Sequence, residues 1–126
     1  IREVKKLAAK FGIRTIVPYE NWTSENLLKE EIDAGLEILI TEVAAGGLTQ
    51  DLLGKKLNEN FPLIKHLSEK FGFDVLGEGG SYNTFVTDAP FFRQKIGILD
   101  YETIWDAKTR SGYMDVKTAK FLPKTE

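Results

Sequence analysis

Cysteine is absent from the 126 residues, which excludes disulfides, thiolate metal sites and a cysteine nucleophile. One histidine, His66, is too few for a multi-histidine metal centre and argues against a Ser-His-Asp triad. No run of 18 apolar residues occurs, so no membrane-spanning helix is expected. Charge of one sign is also lacking: 17 Lys and Arg face 19 Asp and Glu, a net charge of -2. That balance gives no footprint for direct nucleic-acid binding. What remains is 42% hydrophobic and 29% charged, the profile of one globular domain spanning residues 1–126. The chain opens on Ile1 with a helical pattern and no charged leader, and is expected to be a piece of a longer protein.

Ile1, Val4, Leu7, Ala8 and Phe11 recur at helical spacing, and Gly12 supplies a stop. The β-branched run Ile13 to Val17, ended by Pro18, predicts a short strand. Asn21-Trp22-Thr23 matches a glycosylation acceptor, but nothing else points to secretion. Thr23 or Ser24 caps a second helix carrying Leu27, Leu28, Ile32 and Leu36, with Gly35 as its stop. Glu25, Glu30, Glu31 and Asp33 read as its solvated outer face. Glu37 to Val43, with Ile38, Leu39 and Ile40 in unbroken sequence, suits a strand buried on both faces, as in a parallel sheet.

Thr49 reads as the cap of a third helix through Leu52, Leu53 and Leu57. Asn60 and Pro62 open a fourth with Leu63, Ile64, Leu67 and Phe71, stopped by Gly72. His66 falls there as a surface or boundary residue. Tyr82 to Thr87 and Gln94 to Trp105 read as strands, the second with a phase slip near Leu99 and Asp100 that marks a bulge. Lys108 to Gly112 is turn material, and Met114, Val116 and Thr118 alternate again, completing an antiparallel hairpin. The fold expected is α/β: a small mixed sheet flanked by helices, with a C-terminal antiparallel hairpin.

The densest unusual feature is Gly77-Glu78-Gly79-Gly80-Ser81-Tyr82-Asn83-Thr84. Three glycines in four positions weaken any regular element. Such a turn exposes successive backbone N–H groups to an anion. Glu78 adds a carboxylate, and Ser81, Tyr82, Asn83 and Thr84 add hydroxyl and amide groups suited to a polar ligand. The segment is neither a Walker A loop nor a dinucleotide fingerprint.

Residues 77–92, GEGGSYNTFVTDAPFF, resemble the C-terminal signature of the diphthine–ammonia ligase family, of the N-type ATP pyrophosphatase superfamily. The family pattern runs Gly-Glu-Gly-Gly-Glu-Tyr/Phe-Glu-Thr, then an apolar stretch and Asp-x-Pro-Leu/Phe-Phe. Gly77, Glu78, Gly79, Gly80, Tyr82, Thr84, Asp88, Pro90 and Phe92 match it. Val43-Ala44-Ala45 with Gly47-Leu48 is similar to the family's Val-Ala-Ala-x-Gly-Leu loop. Leu53-Gly54-Lys55-Lys56-Leu57 is similar to its Leu-Gly-Arg-Lys-Leu segment. Pro18, Leu27-Leu28 and Gly35 also fall in family order, so the resemblance covers roughly residues 1 to 99.

The resemblance implies an adenine-nucleotide α-hydrolase-like fold for the intact enzyme. It implies an ATP-dependent C–N ligase that amidates diphthine, a modified histidine on translation elongation factor 2, with ammonium. The carboxylate is activated as an adenylate, in the cytoplasm. ATP and Mg²⁺ are expected mainly outside this chain, in a missing N-terminal ATP-binding domain, because Ser-Gly-Gly-x-Asp-Ser is absent here. Glu78 would orient or deprotonate a reacting group. Gly77, Gly79 and Gly80 would let amides approach the anionic intermediate, and Ser81, Tyr82, Asn83 and Thr84 would contact substrate. Asp88 would hold the loop or a cation. Ser81 and Asn83 replace two family glutamates, leaving Glu78 as the only acid among residues 77–84. A diverged paralogue or a non-catalytic ligand-binding domain is therefore the alternative. A homodimer through the aromatic hairpin of Tyr101, Trp105, Tyr113 and Phe121 is a third reading.

Overall fold

The computed structural model describes residues 2–77 and 79–124. Its elements are α1 (Arg2–Lys10), α2 (Ser24–Asp33), β1 (Glu37–Val43), α3 (Leu57–Phe71), β2 (Tyr82–Asp88), β3 (Gln94–Asp106) and β4 (Ser111–Pro123). Thr23 is the residue that caps α2, its Oγ1 accepting from the Asn26 N–H at 3.1 Å. Gly72, at φ +80, ends α3 and donates to the Ser68 carbonyl at 2.8 Å.

The four strands lie in the order β2-β1-β4-β3, and every pairing is antiparallel. This corrects the expected mixed sheet. After α3, residues 72–81 carry the chain to Tyr82, which lies opposite Val43 at the C-terminal end of β1. β2 therefore runs back along β1. The apolar run of β1 is not buried equally on both faces: Ile38, Ile40 and Val43 are buried, while Leu39 and Thr41 are half-buried. A helix on one face and an open second face produce that alternation.

β4 holds β1 only at Glu42–Tyr113 and Val43–Gly112. The rest of that edge is taken by a short segment before α3. The Ile40 N–H donates to the Lys55 carbonyl, the Gly54 N–H donates to the Ile40 carbonyl, both at 2.9 Å, and Leu39 bridges Lys56. The β3–β4 hairpin extends beyond the core, and its expected bulge is present, with register shifts on both sides of Asp100. At the base of α3, Asn58 accepts from the Ile38 N–H at 2.9 Å and donates to the Leu36 carbonyl at 2.6 Å. One side chain thus fixes where β1 begins.

Two expected elements differ. The third helix is one 3₁₀ turn, Gln50–Leu52, and Leu57 instead begins α3. Gly54, at φ +83, breaks the path between them. Ile13 to Val17 forms no strand, because no strand among the described residues lies beside it. β-propensity without a neighbour gives no ladder. Nor does α1 bury a side chain: Val4 and Leu7 are exposed, as is Phe11 just after it.

The core gathers Leu28 of α2, the inner face of β1, Leu52, Leu53, Leu57, Ile64, Tyr82 and Met114. The loop after β1 closes against α3. Gly47 has φ +93, and a Cβ there would come within 2.2 Å of the Phe71 ring. Gly47→Ala is expected to lose about 2 kcal/mol of stability, from left-handed backbone strain plus displacement of the ring. Gly46→Ala meets nothing closer than 4.0 Å and is expected to shift stability by less than about 0.5 kcal/mol. Urea titration of both variants separates them, and equal losses would contradict the packing described.

Candidate functional site

The glycine turn is built by the geometry that its composition suggests. Gly77, Gly79 and Gly80 have φ of +88, +85 and +85. At Gly79 and Gly80 a Cβ would meet nothing, so the demand there is on backbone conformation alone. Gly77 has both demands, since a Cβ would fall 2.8 Å from the Tyr82 carbonyl oxygen. Glu78 lies outside the described residues.

Tyr82 anchors the turn. It is 2% exposed, its hydroxyl donates to the Val75 carbonyl, and its ring meets Phe73 edge-on at 6.4 Å. Burial, reinforced by the charges of Asp74 and Glu31, pushes its phenol well above the ordinary tyrosine range. Tyr82 therefore acts as a neutral pillar, and its hydroxyl is turned inward, away from any ligand over the turn. Ser81 is also buried, and its Oγ has no hydrogen-bond partner among the described residues. Its carbonyl accepts from the Ala44 N–H at 2.8 Å, tying the turn to the end of β1.

Asn83 and Thr84 are exposed. Asn83 Nδ2 donates to Glu42 Oε2 at 2.9 Å, and the Asn83 carbonyl accepts from Thr41 Oγ1 at 3.2 Å. Asn83, Glu42, Tyr113 and Ile104 are successive cross-strand partners over all four strands, forming a row at the same end of the sheet. Glu42 is the residue that sequence reasoning missed. Its signal was an acid embedded in the apolar run of β1, but only strand pairing brings it to Asn83.

Asp88 is not part of this cluster. It ends β2, roughly 20 Å along the strand from Tyr82 at the usual rise per residue. There it pairs with Lys124 at 2.6 Å, which holds its carboxyl below the usual range. Lys124 also donates to the Ala89 carbonyl at 2.6 Å, so the pair clips the end of β4 to the loop after β2. His66 is exposed on α3.

Among the described residues no three acidic or histidine side chains converge as a metal site. Gly46-Gly47 packs against Phe71 and offers no phosphate cradle. The described residues do not fit a magnesium–nucleotide site. No helix among the described residues is long and apolar enough to cross a membrane.

The arrangement is an α/β domain with an open polar rim at one sheet end. The chain belongs to the diphthamide synthase C-terminal domain family, which residues 23–122 match. It is 47% identical over 102 residues to the diphthine–ammonia ligase of Danio rerio, covering 80% of this chain and 40% of that protein. It is 37% identical over 102 residues to that of Rattus norvegicus, covering 80% and 38%. With that of Schizosaccharomyces pombe it shares 32% over 114 residues, covering 90% and 19%. The chain thus spans well under half the length of these relatives.

Proposed function

We propose that this chain is the substrate-side part of an ATP-dependent ligase of the diphthine–ammonia ligase type. The intact protein would amidate the diphthine carboxylate on translation elongation factor 2 with ammonium, through an adenylate, in the cytoplasm. ATP and Mg²⁺ would be held by an N-terminal domain outside this chain, with an adenine-nucleotide α-hydrolase-like fold. The observation that carries the reading is a carboxylate–amide pair, Glu42 to Asn83 at 2.9 Å, at the rim of the glycine turn. It supplies an acid next to one position where the resembled family has a glutamate and this sequence has none.

Amidation needs two things from this rim. The reacting carboxyl group gathers negative charge during acyl transfer, and amides held by left-handed glycines are preorganised to meet it. Ammonium must also lose a proton before it attacks, and a carboxylate within reach is a suitable acceptor. Glu78 takes that role here, with Glu42 holding Asn83 towards the substrate, and Thr84 completing the polar rim.

The test is amide formation by full-length protein carrying this domain. Glu78→Ala is expected to reduce it by about a hundredfold or more, the usual loss for a general acid or base. A loss within about threefold would remove Glu78 from the mechanism. Glu42→Gln, which keeps a hydrogen-bond acceptor without the charge, is expected to lose about tenfold. Full-length protein that forms no amide and consumes no ATP would establish the non-catalytic binding reading instead.

A further inference from the structure

The turn that joins β3 to β4 stands at the same end of the sheet as the glycine turn. Tyr82, Val43, Gly112 and Trp105 are successive cross-strand partners, so β2 begins, β1 ends and the hairpin reverses in one place. One residue further out, the Ser81 carbonyl accepts from the Ala44 N–H at 2.8 Å, and Asp106 lies opposite Ser111. Two strand spacings, about 10 Å, therefore separate the end of the glycine turn from the start of β4. Between them stands Ala44, which has only a methyl side chain.

The hairpin turn is basic, and its backbone is fixed from within. Lys108 and Arg110 are exposed, and neither has an ion-pair partner among the described residues. The acids beside them are engaged elsewhere. Asp106 Oδ1 accepts from the Lys108 N–H at 2.9 Å, and Glu42 accepts from Asn83. The hydroxyls of Thr109 and Ser111 meet at 2.6 Å. Arg110 holds φ +53. A left-handed residue closes many hairpin turns, and glycine or asparagine is its usual occupant. Arginine there carries steric strain that glycine avoids, so the turn itself gains nothing from it. Across the gap, Gly79 and Gly80 hold φ +85 and have no side chain to screen their amides.

We propose that the two turns together bind a small phosphate oxyanion. Arg110 and Lys108 supply the charge from one side, and the Gly79–Gly80 turn supplies backbone N–H groups from the other. The arginine fork matches phosphate oxygens in pairs, and the lysine adds a point charge. A carboxylate has both oxygens on one side and is too short to meet both turns. Phosphate groups carry oxygens in every direction, and a diphosphate has the length to span the gap. Two cations in a chain of net charge -2 make no extended track for a nucleic-acid backbone. The site goes beyond the amidation reading, because its occupancy is a property of this chain and is measured without turnover.

The experiment titrates this chain with inorganic diphosphate at constant ionic strength, following the backbone amide resonances of Lys108 to Ser111 and of Gly79 and Gly80. Saturable shifts in both turns are expected, with acetate binding about tenfold more weakly. Arg110→Gly is expected to weaken diphosphate about tenfold while thermal stability is kept or raised, since glycine holds φ +53 without strain. Lys108→Gln, which leaves the backbone bond to Asp106 in place, is expected to weaken it about threefold. Shifts confined to one turn, equal binding of acetate, or affinity unchanged in both variants would overturn the proposal. So would tighter binding of a short single-stranded RNA, which would give the basic turn to a polymer instead.

Discussion

Ile40→Ala is expected to remove about 3–5 kcal/mol of folding stability, the largest loss from a single truncation in this chain. Ile40 is 0% exposed and sits in the middle of β1. Its side chain joins the cluster formed by Leu28, Leu57 and Ile64. Its backbone carries both hydrogen bonds to the Gly54–Lys56 segment, so the surrounding chain is pinned and cannot collapse into the space. A rigidly bounded cavity puts the loss at the upper end of the range for such truncations. The loss is a large fraction of the roughly 5–15 kcal/mol that holds a typical domain folded. Equilibrium urea unfolding checks it, with a lowered midpoint and an unchanged slope. A loss below about 1 kcal/mol would show that β1 is not the centre of the core.

Tyr82→Phe is expected to destabilise the domain by about 1–3 kcal/mol at neutral pH, because it leaves the buried Val75 carbonyl without its donor. The ring contact with Phe73 is retained, so the hydroxyl alone is tested. The same variant changes the alkaline limit. Burial raises the folded-state phenol above its ordinary value. Below that ordinary value both states hold the proton, and the stabilisation is intact. Above about pH 10 the unfolded chain releases the proton while the folded one retains it, so stability falls as pH rises. One such group contributes a slope of about 1.4 kcal/mol per pH unit, present in the natural chain and missing in Tyr82→Phe. Denaturation between pH 8 and 11 measures it, and parallel curves would contradict the buried, neutral phenol.

The glycine turn shows how far composition alone reaches. Three glycines in four positions were read as a turn that exposes backbone N–H groups, and Gly77, Gly79 and Gly80 all adopt left-handed backbone there. Tyr82 was placed with the substrate contacts, yet its hydroxyl is turned into the protein towards Val75. Residue type records the capacity to donate a hydrogen bond, and packing decides in which direction. Asp88 belongs to the same stretch of sequence, but a seven-residue strand separates it from the turn. Extended chain converts proximity in sequence into distance in space.

Local patterns settled the Thr23 cap of α2, the Gly72 end of α3, the bulge of β3 and the C-terminal hairpin, because each depends on residues within a few positions of one another. The same holds for β1, whose bounds at Glu37 and Val43 follow from its apolar run. Strand direction was not local: the run of β1 fits a parallel or an antiparallel neighbour, and only the return of residues 72–81 to the end of β1 chose the latter. Ile13 to Val17 failed as a strand for the converse reason, since a ladder needs a partner that propensity cannot supply. Glu42 beside Asn83 is likewise a meeting of residues dozens of positions apart. Sequence determined which groups are present and which segments are regular. Tertiary structure alone decided which groups face one another, because that depends on how the segments cross.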